Sequence, residues 1–246
     1  MTVDAAVHEE QLGRSAYEQV LSSSRVLPPS HPMTRAVLRV GQKIQEEADL
    51  PYMKWEFHVI QADEPNAFCL PGGKVFVHTG LFKVLQNEDT LAAVLFHEAA
   101  HGVARMFRID GHGAEKISLS LLVYGLLALL FPDFGQVSDI VVKLAVDLPF
   151  SRKLELEADA VGLRLMAKAC YDPRASIQMN TSLGQLEKGN PAAQFKYFST
   201  HPPSVERVRA LREQLRDAEE IYAASDCADR KRAYAEFAGA RFSPRC

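Results

Sequence analysis

The spacing of apolar positions changes along this chain, and each change marks an element. From Thr34 to Ala48, Val37, Val40 and Ile44 recur at helical spacing, which predicts an amphipathic helix. From Lys54 to Ala62 the period drops to two, with Trp55, Phe57 and Val59 alternating with polar neighbours as in a strand. Pro71-Gly72-Gly73 is a turn signal leading into a second strand from Gly73 to Thr79. Asn66, Ala67 and Phe68, just before that turn, are expected at a sheet edge. Glu88 to Phe107 reads as one continuous helix with Leu91, Val94 and Leu95 on its apolar face. Asn87 suits its N-cap, and Glu88 and Asp89 suit its positive end. The apolar stretch Ile117 to Phe131, a polar break at Pro132-Asp133, and further helix from Val137 to Leu148 follow. Leu154 to Ala167 reads as helix, as does the segment after Pro203, where Val205, Val208, Leu211 and Leu215 keep helical spacing. The pattern is α+β and mainly helical, with a small sheet. No Gly/Ser-rich linker divides it, so a single domain over 1–246 is expected, with an N-terminal extension (1–30), an apolar hairpin (117–148) and a C-terminal tail (225–246).

Composition narrows the function class. With 246 residues, 47% hydrophobic content and a net charge of −3, the chain can bury a sizeable core; it reads neither as disordered nor as a nucleic-acid binder, which would usually be basic. Cys69, Cys170, Cys227 and Cys246 show no CxxC spacing, so neither a thiolate zinc site nor a redox pair is indicated. They read most simply as free thiols, and an oxidising compartment would allow Cys227 to pair with Cys246. The first ten residues are acidic and lack an apolar core, so they are neither a signal nor a transit peptide.

Candidate chemistry centres on His97-Glu98-Ala99-Ala100-His101. Residues four apart on a helix share a face, so both imidazoles can point at one metal ion. Glu98, offset by one position, can reach a water that the metal activates. Two ligands, a general base and a rigid scaffold make the arrangement of a zinc peptidase. A plain core pair of histidines would need other partners, because buried polar groups are costly unless satisfied.

The third ligand has to be sought elsewhere. Continuing the helix in the HExxHxxGxxH manner fails, because Ala104 and Phe107 stand where glycine and histidine would be. His112 and Glu115 are local options. Glu155 is a further candidate: with Asp159 it forms a pair four apart on an otherwise apolar helix, and two such carboxylates need partners. A metal for Glu155 and a ligand imidazole N–H for Asp159 would satisfy both, while Glu157 projects away toward solvent. The residues alone leave this reading level with an ordinary charged solvent stripe.

HEAAH, then SRKLELEAD, then STHPP together resemble the zinc endopeptidases that include the CAAX prenyl endopeptidases and the bacterial heat-shock membrane peptidases. The segments NAFCLPGGKVFVHTG, LPFSRKLELEADAVGL and MAKACYDPRAS are most similar to the mitochondrial inner-membrane branch, whose activity overlaps that of the m-AAA protease. The resemblance runs from about Pro51 to Arg207. It implies a gluzincin-like fold and one Zn2+ per chain held by His97, His101 and Glu155, with Glu98 as base and Asp159 orienting a ligand histidine. His201, which alone reads as a loop histidine capping the next helix, becomes a donor to the oxyanion of the reaction. Arg207 is expected in a salt bridge supporting that loop. Asn66, Ala67 and Phe68 would hold an extended substrate by main-chain bonds, although by themselves they read as a plain exposed edge.

The apolar segment of fifteen residues, Ile117 to Phe131, is below the roughly 20 needed to span a bilayer. Its two readings are a buried helix and a membrane-dipping or substrate-covering hairpin. The resemblance implies protein substrates that are membrane-anchored or misfolded, action in membrane protein quality control under stress, and a dynamin-like fusion GTPase as one target. It implies a place at the mitochondrial inner membrane on the intermembrane-space side, with a bacterial membrane as the alternative. Homo-oligomerisation stays open. The contrasting function is a non-catalytic membrane adaptor or chaperone that keeps the peptidase fold.

Overall fold

The two stretches of period-two alternation become strands that share a partner. The computed structural model describes residues 3–50, 53–109, 152–189, 201, 205–225 and 227. Strand β1 (Glu56–Ile60) runs parallel to β3 (Lys74–His78), and β2 (Ala67–Leu70) runs antiparallel to β3, in the order β1-β3-β2. Alternation gives the sheet two apolar faces. Phe57, Val59, Ala67, Cys69, Val75 and Val77 join the main core, while Phe68, Leu70 and Phe76 face the other way. Between β2 and β3 the chain turns through Gly72 and Gly73 at φ of 81° and 80°, a left-handed conformation that side chains resist.

Helix α1 (Val3–Ser23) covers the second face with Ala16 and Val20. A polar chain pins it there. The Tyr17 hydroxyl donates to Glu56 at 2.5 Å and lies 3.0 Å from His58 Nε2. A hydroxyl has one proton, so His58 must donate to the tyrosine oxygen. Lys74 donates to the other oxygen of Glu56 at 2.5 Å. Burial and the Glu56 carboxylate push the Tyr17 phenol up to about 12.

The main core lies on the opposite face. Helix α2 (Pro32–Ala48) begins at an N-cap, His31, whose Nδ1 accepts from the amide of Met33, and buries Ala36, Val37, Val40 and Ile44. A short 3-10 helix (Thr79–Lys83) leads from β3 to α3 (Glu88–Ile109), which packs on α2 and the sheet. On its far side α3 meets α4 (Arg152–Lys168) and α5 (Arg174–Gly189), and α6 (Val205–Ala224) packs across α4 and α5. The α+β class and the mainly helical character follow the sequence pattern. Helices α1 and α5 are not marked in that pattern: among the described side chains the buried apolar ones are Ala16 and Val20 in α1 and Ala175, Met179 and Leu183 in α5, set among polar neighbours. The apolar segments 117–131 and 137–148 lie outside the described residues.

The cysteine expectation needs correction. Cys170 and Cys227 form a disulfide, with Cα atoms 5.4 Å apart, so Cys227 does not pair with Cys246, and among the described residues Cys69 is the cysteine outside a disulfide. The reason is tertiary. Helix α4 closes in a Schellman arrangement, with the amides of Cys170 and Tyr171 bonding to the carbonyls of Ala167 and Met166. Cys170 sits in the left-handed position at φ 65°, and α6 returns the chain across α4 to bring Cys227 beside it.

Candidate active site

Helix α3 carries three of the functional side chains, and local sequence sets where it starts. Asn87 Oδ1 accepts from the Thr90 amide at 2.9 Å, and Thr90 Oγ1 accepts from the Asn87 amide at 3.1 Å, a reciprocal cap. Arg39 ties Glu88 of the first turn to α2 at 2.7 Å. Two to three turns later His97, Glu98 and His101 are buried at 5%, 2% and 4% exposure. From α4, Glu155 and Asp159 point toward them and are likewise buried. Arg207 of α6 and His201, just before that helix, close the group.

The nitrogen and oxygen atoms converge. His97 Nε2 and His101 Nε2 are 3.1 Å apart; Glu155 places one oxygen 3.4 Å from the first and the other 3.1 Å from the second. His201 Nδ1 lies 3.3 Å from His97 Nε2, and its Nε2 lies 3.2 Å from Glu98 Oε1. His97 Nδ1 is 2.9 Å from Asp159 Oδ1, so this nitrogen donates to the carboxylate and the Nε2 lone pair is left facing the cluster. Arg207 holds Asp159 with Nε and a terminal nitrogen at 2.7 and 2.8 Å, and reaches Glu155 at 3.0 Å.

This donor set fits a zinc ion. Two imidazole nitrogens facing each other across 3.1 Å require a proton or a cation between them. Ligands bonded at 2.0–2.1 Å in a tetrahedron stand about 3.3 Å apart, which is the spacing seen among His97, His101 and Glu155. One ligand atom from each of His97, His101, Glu155 and His201 lies within 4.8 Å of the others, and all four residues are buried.

A sequence model of peptidase family M48 matches residues 33–215, which takes in every residue of this cluster. The chain belongs to that family. It is 41% identical over 228 residues to the mitochondrial metalloendopeptidase OMA1 of Schizosaccharomyces pombe, covering 89% of this chain and 64% of that relative. It is 34% identical to the Saccharomyces cerevisiae protein of the same name, covering 93% of this chain and 70% of that one. Similarity extends to the beta-barrel assembly-enhancing protease of Escherichia coli, 30% identical over 85% of this chain and 43% of the relative. The chain thus spans less than two thirds of the fission-yeast relative's length.

Charge in this M48 site follows its burial. Desolvation opposes charging His97, yet the hydrogen bonds to Asp159 and Glu155 hold its pKa up at about 9 in the metal-free protein. His101 is pushed well below the usual histidine range by burial. Burial would raise both carboxylates. Glu155 nevertheless stays far below the carboxylate range through His101, His201 and His97, and Asp159 is held at about 2 by Arg207 and His97. Both face the histidines as carboxylates.

Of the residues singled out in the sequence, His97, Glu98, His101, Glu155, Asp159, His201 and Arg207 meet at one place. Glu157 projects away and is 44% exposed at its side chain. Ala67 and Phe68 lie in edge strand β2, which packs beside α3, and the Asn66 carbonyl accepts from the His78 amide at 2.9 Å. Arg207 does more than support a loop: it joins Asp159 and Glu155, a link that spacing along the chain could not reveal. His112 and Glu115 lie outside the described residues.

Proposed function

We propose that the chain is a zinc endopeptidase that cuts exposed segments of membrane-anchored or misfolded proteins, in membrane protein quality control under stress. The observation that carries it is the convergence of His97, His101 and Glu155 at ligand spacing, with Glu98 of the same helix beside them. In this reading His97, His101 and Glu155 hold the ion, and zinc supplies the Lewis acidity that polarises a scissile carbonyl and makes water acidic enough to attack. Glu98 accepts the proton of the attacking water and passes it to the leaving amine. His201 donates to the oxygen that gains charge. Asp159 fixes the tautomer and orientation of His97, and Arg207 keeps both acidic side chains in place. Asn66, Ala67 and Phe68 offer a strand edge to an extended substrate, which favours accessibility over sequence.

The whole chain is read as one metallopeptidase unit. The place proposed for it is the mitochondrial inner membrane, facing the intermembrane space. The names of the yeast relatives support the organelle, and the Cys170–Cys227 disulfide supports an oxidising side. Among the described residues no helix is long and apolar enough to cross a membrane.

The test combines metal analysis with cleavage of quenched casein. The expected result is one zinc per chain, with Glu98→Gln retaining it but losing cleavage, because a base is not a ligand. A wild-type protein without zinc that cleaves nothing would point to the adaptor reading. Loss of zinc from Glu98→Gln as complete as from His97→Ala would reassign the roles.

A further inference from the structure

We infer that Gly162 is the spacer that sets the distance between the two ligand-bearing helices, a positioning residue for the metal site. The inference rests on the site reading above and adds a residue that lies outside its donor set. Glu155, Asp159 and Gly162 follow each other at helical spacing along one face of α4. That face meets α3 at His97. A Cβ at position 162 would stand 3.0 Å from the Phe96 carbonyl oxygen and 3.1 Å from the His97 amide nitrogen. Neither neighbour is a flexible side-chain end. Both are backbone atoms in the middle of a hydrogen-bonded helix, at the ligand itself, and they cannot swing aside. A side chain at 162 must therefore displace α4 from α3 by a few tenths of an ångström.

That displacement matters because the ligands are divided between the helices. His97 and His101 come from α3, and Glu155 comes from α4, with separations of 3.1 to 3.4 Å across the gap. Zinc–ligand bonds tolerate only about 0.2 Å of error. The His97–Asp159 contact of 2.9 Å crosses the same gap. Bare backbone contact at Gly162 thus fixes both the reach of the third ligand and the bond that orients the first. Glycine is otherwise a poor choice within a helix, where alanine is the better former. The change Gly162→Ala should therefore weaken the metal site without weakening the helix.

Zinc affinity is measured by chelator competition on the full chain for wild type, Gly162→Ala and Ile44→Ala, with thermal unfolding in excess chelator and visible spectra of the cobalt-substituted proteins. Ile44 is fully buried in α2 and belongs to neither ligand-bearing helix, so its loss reports general destabilisation. The expected result is that Gly162→Ala unfolds within a few degrees of wild type in chelator. It should bind zinc at least about 10-fold more weakly, with an altered cobalt spectrum. Ile44→Ala should melt earlier yet bind zinc as wild type does. Wild-type affinity in Gly162→Ala, equal losses in the two variants, or a Gly162→Ala protein that does not fold even in chelator would each overturn the spacer. A wild type that binds no zinc would remove the metal reading and the spacer with it; wild-type binding with an unaffected variant removes the spacer alone.

Discussion

His201 Nε2 lies 3.2 Å from Glu98 Oε1, while its Nδ1 lies 3.2 Å from both oxygens of Glu155. One imidazole therefore touches the proposed base and the proposed third ligand together. A donor held at this junction can follow charge as it grows on a substrate oxygen. Replacing it, His201→Ala, is expected to lower kcat by about 10²–10³ with little change in KM, the usual cost of losing one oxyanion donor. Zinc content should stay at wild-type level. If zinc leaves His201→Ala as readily as it leaves His97→Ala, the imidazole is a ligand and its catalytic role falls.

The carboxylates of α4 separate by position. Glu155→Ala is expected to lose zinc, since Glu155 lies within 3.4 Å of both ligand imidazoles. Asp159→Ala should retain the site but bind zinc roughly 10–100-fold more weakly, because it acts through His97. Glu157→Ala should change neither quantity. Metal content by mass spectrometry checks all three, and an unchanged Glu155→Ala would move the third ligand elsewhere.

The helices that carry this site are legible in the sequence, and the reason is local. Helix α3 announces itself through its cap at Asn87 and its apolar row, so the facing of His97 and His101 follows from spacing alone. Glu155 is different. Its distance from His97 depends on how α4 lies against α3, and in particular on a backbone contact at Gly162 that no periodicity encodes. Cys170 was unreadable for the same reason: its left-handed turn and the return of α6 are tertiary facts. Helix α5 is less legible because its apolar row of Ala175, Met179 and Leu183, although at helical spacing, is thin and set among serine, glutamine and asparagine.

Arg207 supplies a pH-dependent prediction. Burial alone would raise Asp159, but Arg207 and His97 hold it at about 2 in the metal-free protein. A carboxylate depressed on folding stabilises the fold above its unfolded value of about 3.9, and that contribution is lost as pH falls toward 2. Arg207→Gln removes the cation that lies against both Asp159 and Glu155. Their folded-state values should rise toward the unfolded ones, so the variant's stability in chelator should fall less steeply with acid, and its gap from wild type should narrow as pH drops from 7 to 3. At neutral pH the loss should be about 3–5 kcal/mol, as for a buried pair deprived of one partner. Stability profiles of the two proteins that stay parallel from pH 7 to pH 3 would count against this.

The Cys170–Cys227 disulfide closes a separation of 57 residues that includes α5, His201 and α6. Constraining a loop of that length in the unfolded chain is worth about 4 kcal/mol. Replacing both cysteines with serine is expected to lower the Tm by roughly 5–15 °C. Zinc affinity of the folded fraction should be preserved, since neither sulfur belongs to the donor cluster. Differential scanning calorimetry under non-reducing conditions measures the shift, and a Tm within 1–2 °C of wild type would mean that the bridge adds nothing to stability.

The last prediction concerns Ile117 to Phe131, which is read from sequence. A mostly apolar stretch of fifteen residues extends about 22 Å as a helix, short of the roughly 30 Å hydrocarbon core of a bilayer. The stretch is also too continuous for an ordinary amphipathic surface helix, so something apolar must cover it. Association with lipid without crossing it satisfies both conditions. Replacing Leu122 and Leu126 with glutamate is then expected to reduce co-sedimentation with liposomes while zinc stays bound. A wild type that never sediments with liposomes, together with unfolding of Leu126→Glu, would make the segment part of the protein core. The membrane part of the proposed function would then fall, while the peptidase chemistry, which rests on His97, Glu98, His101 and Glu155, would be untouched.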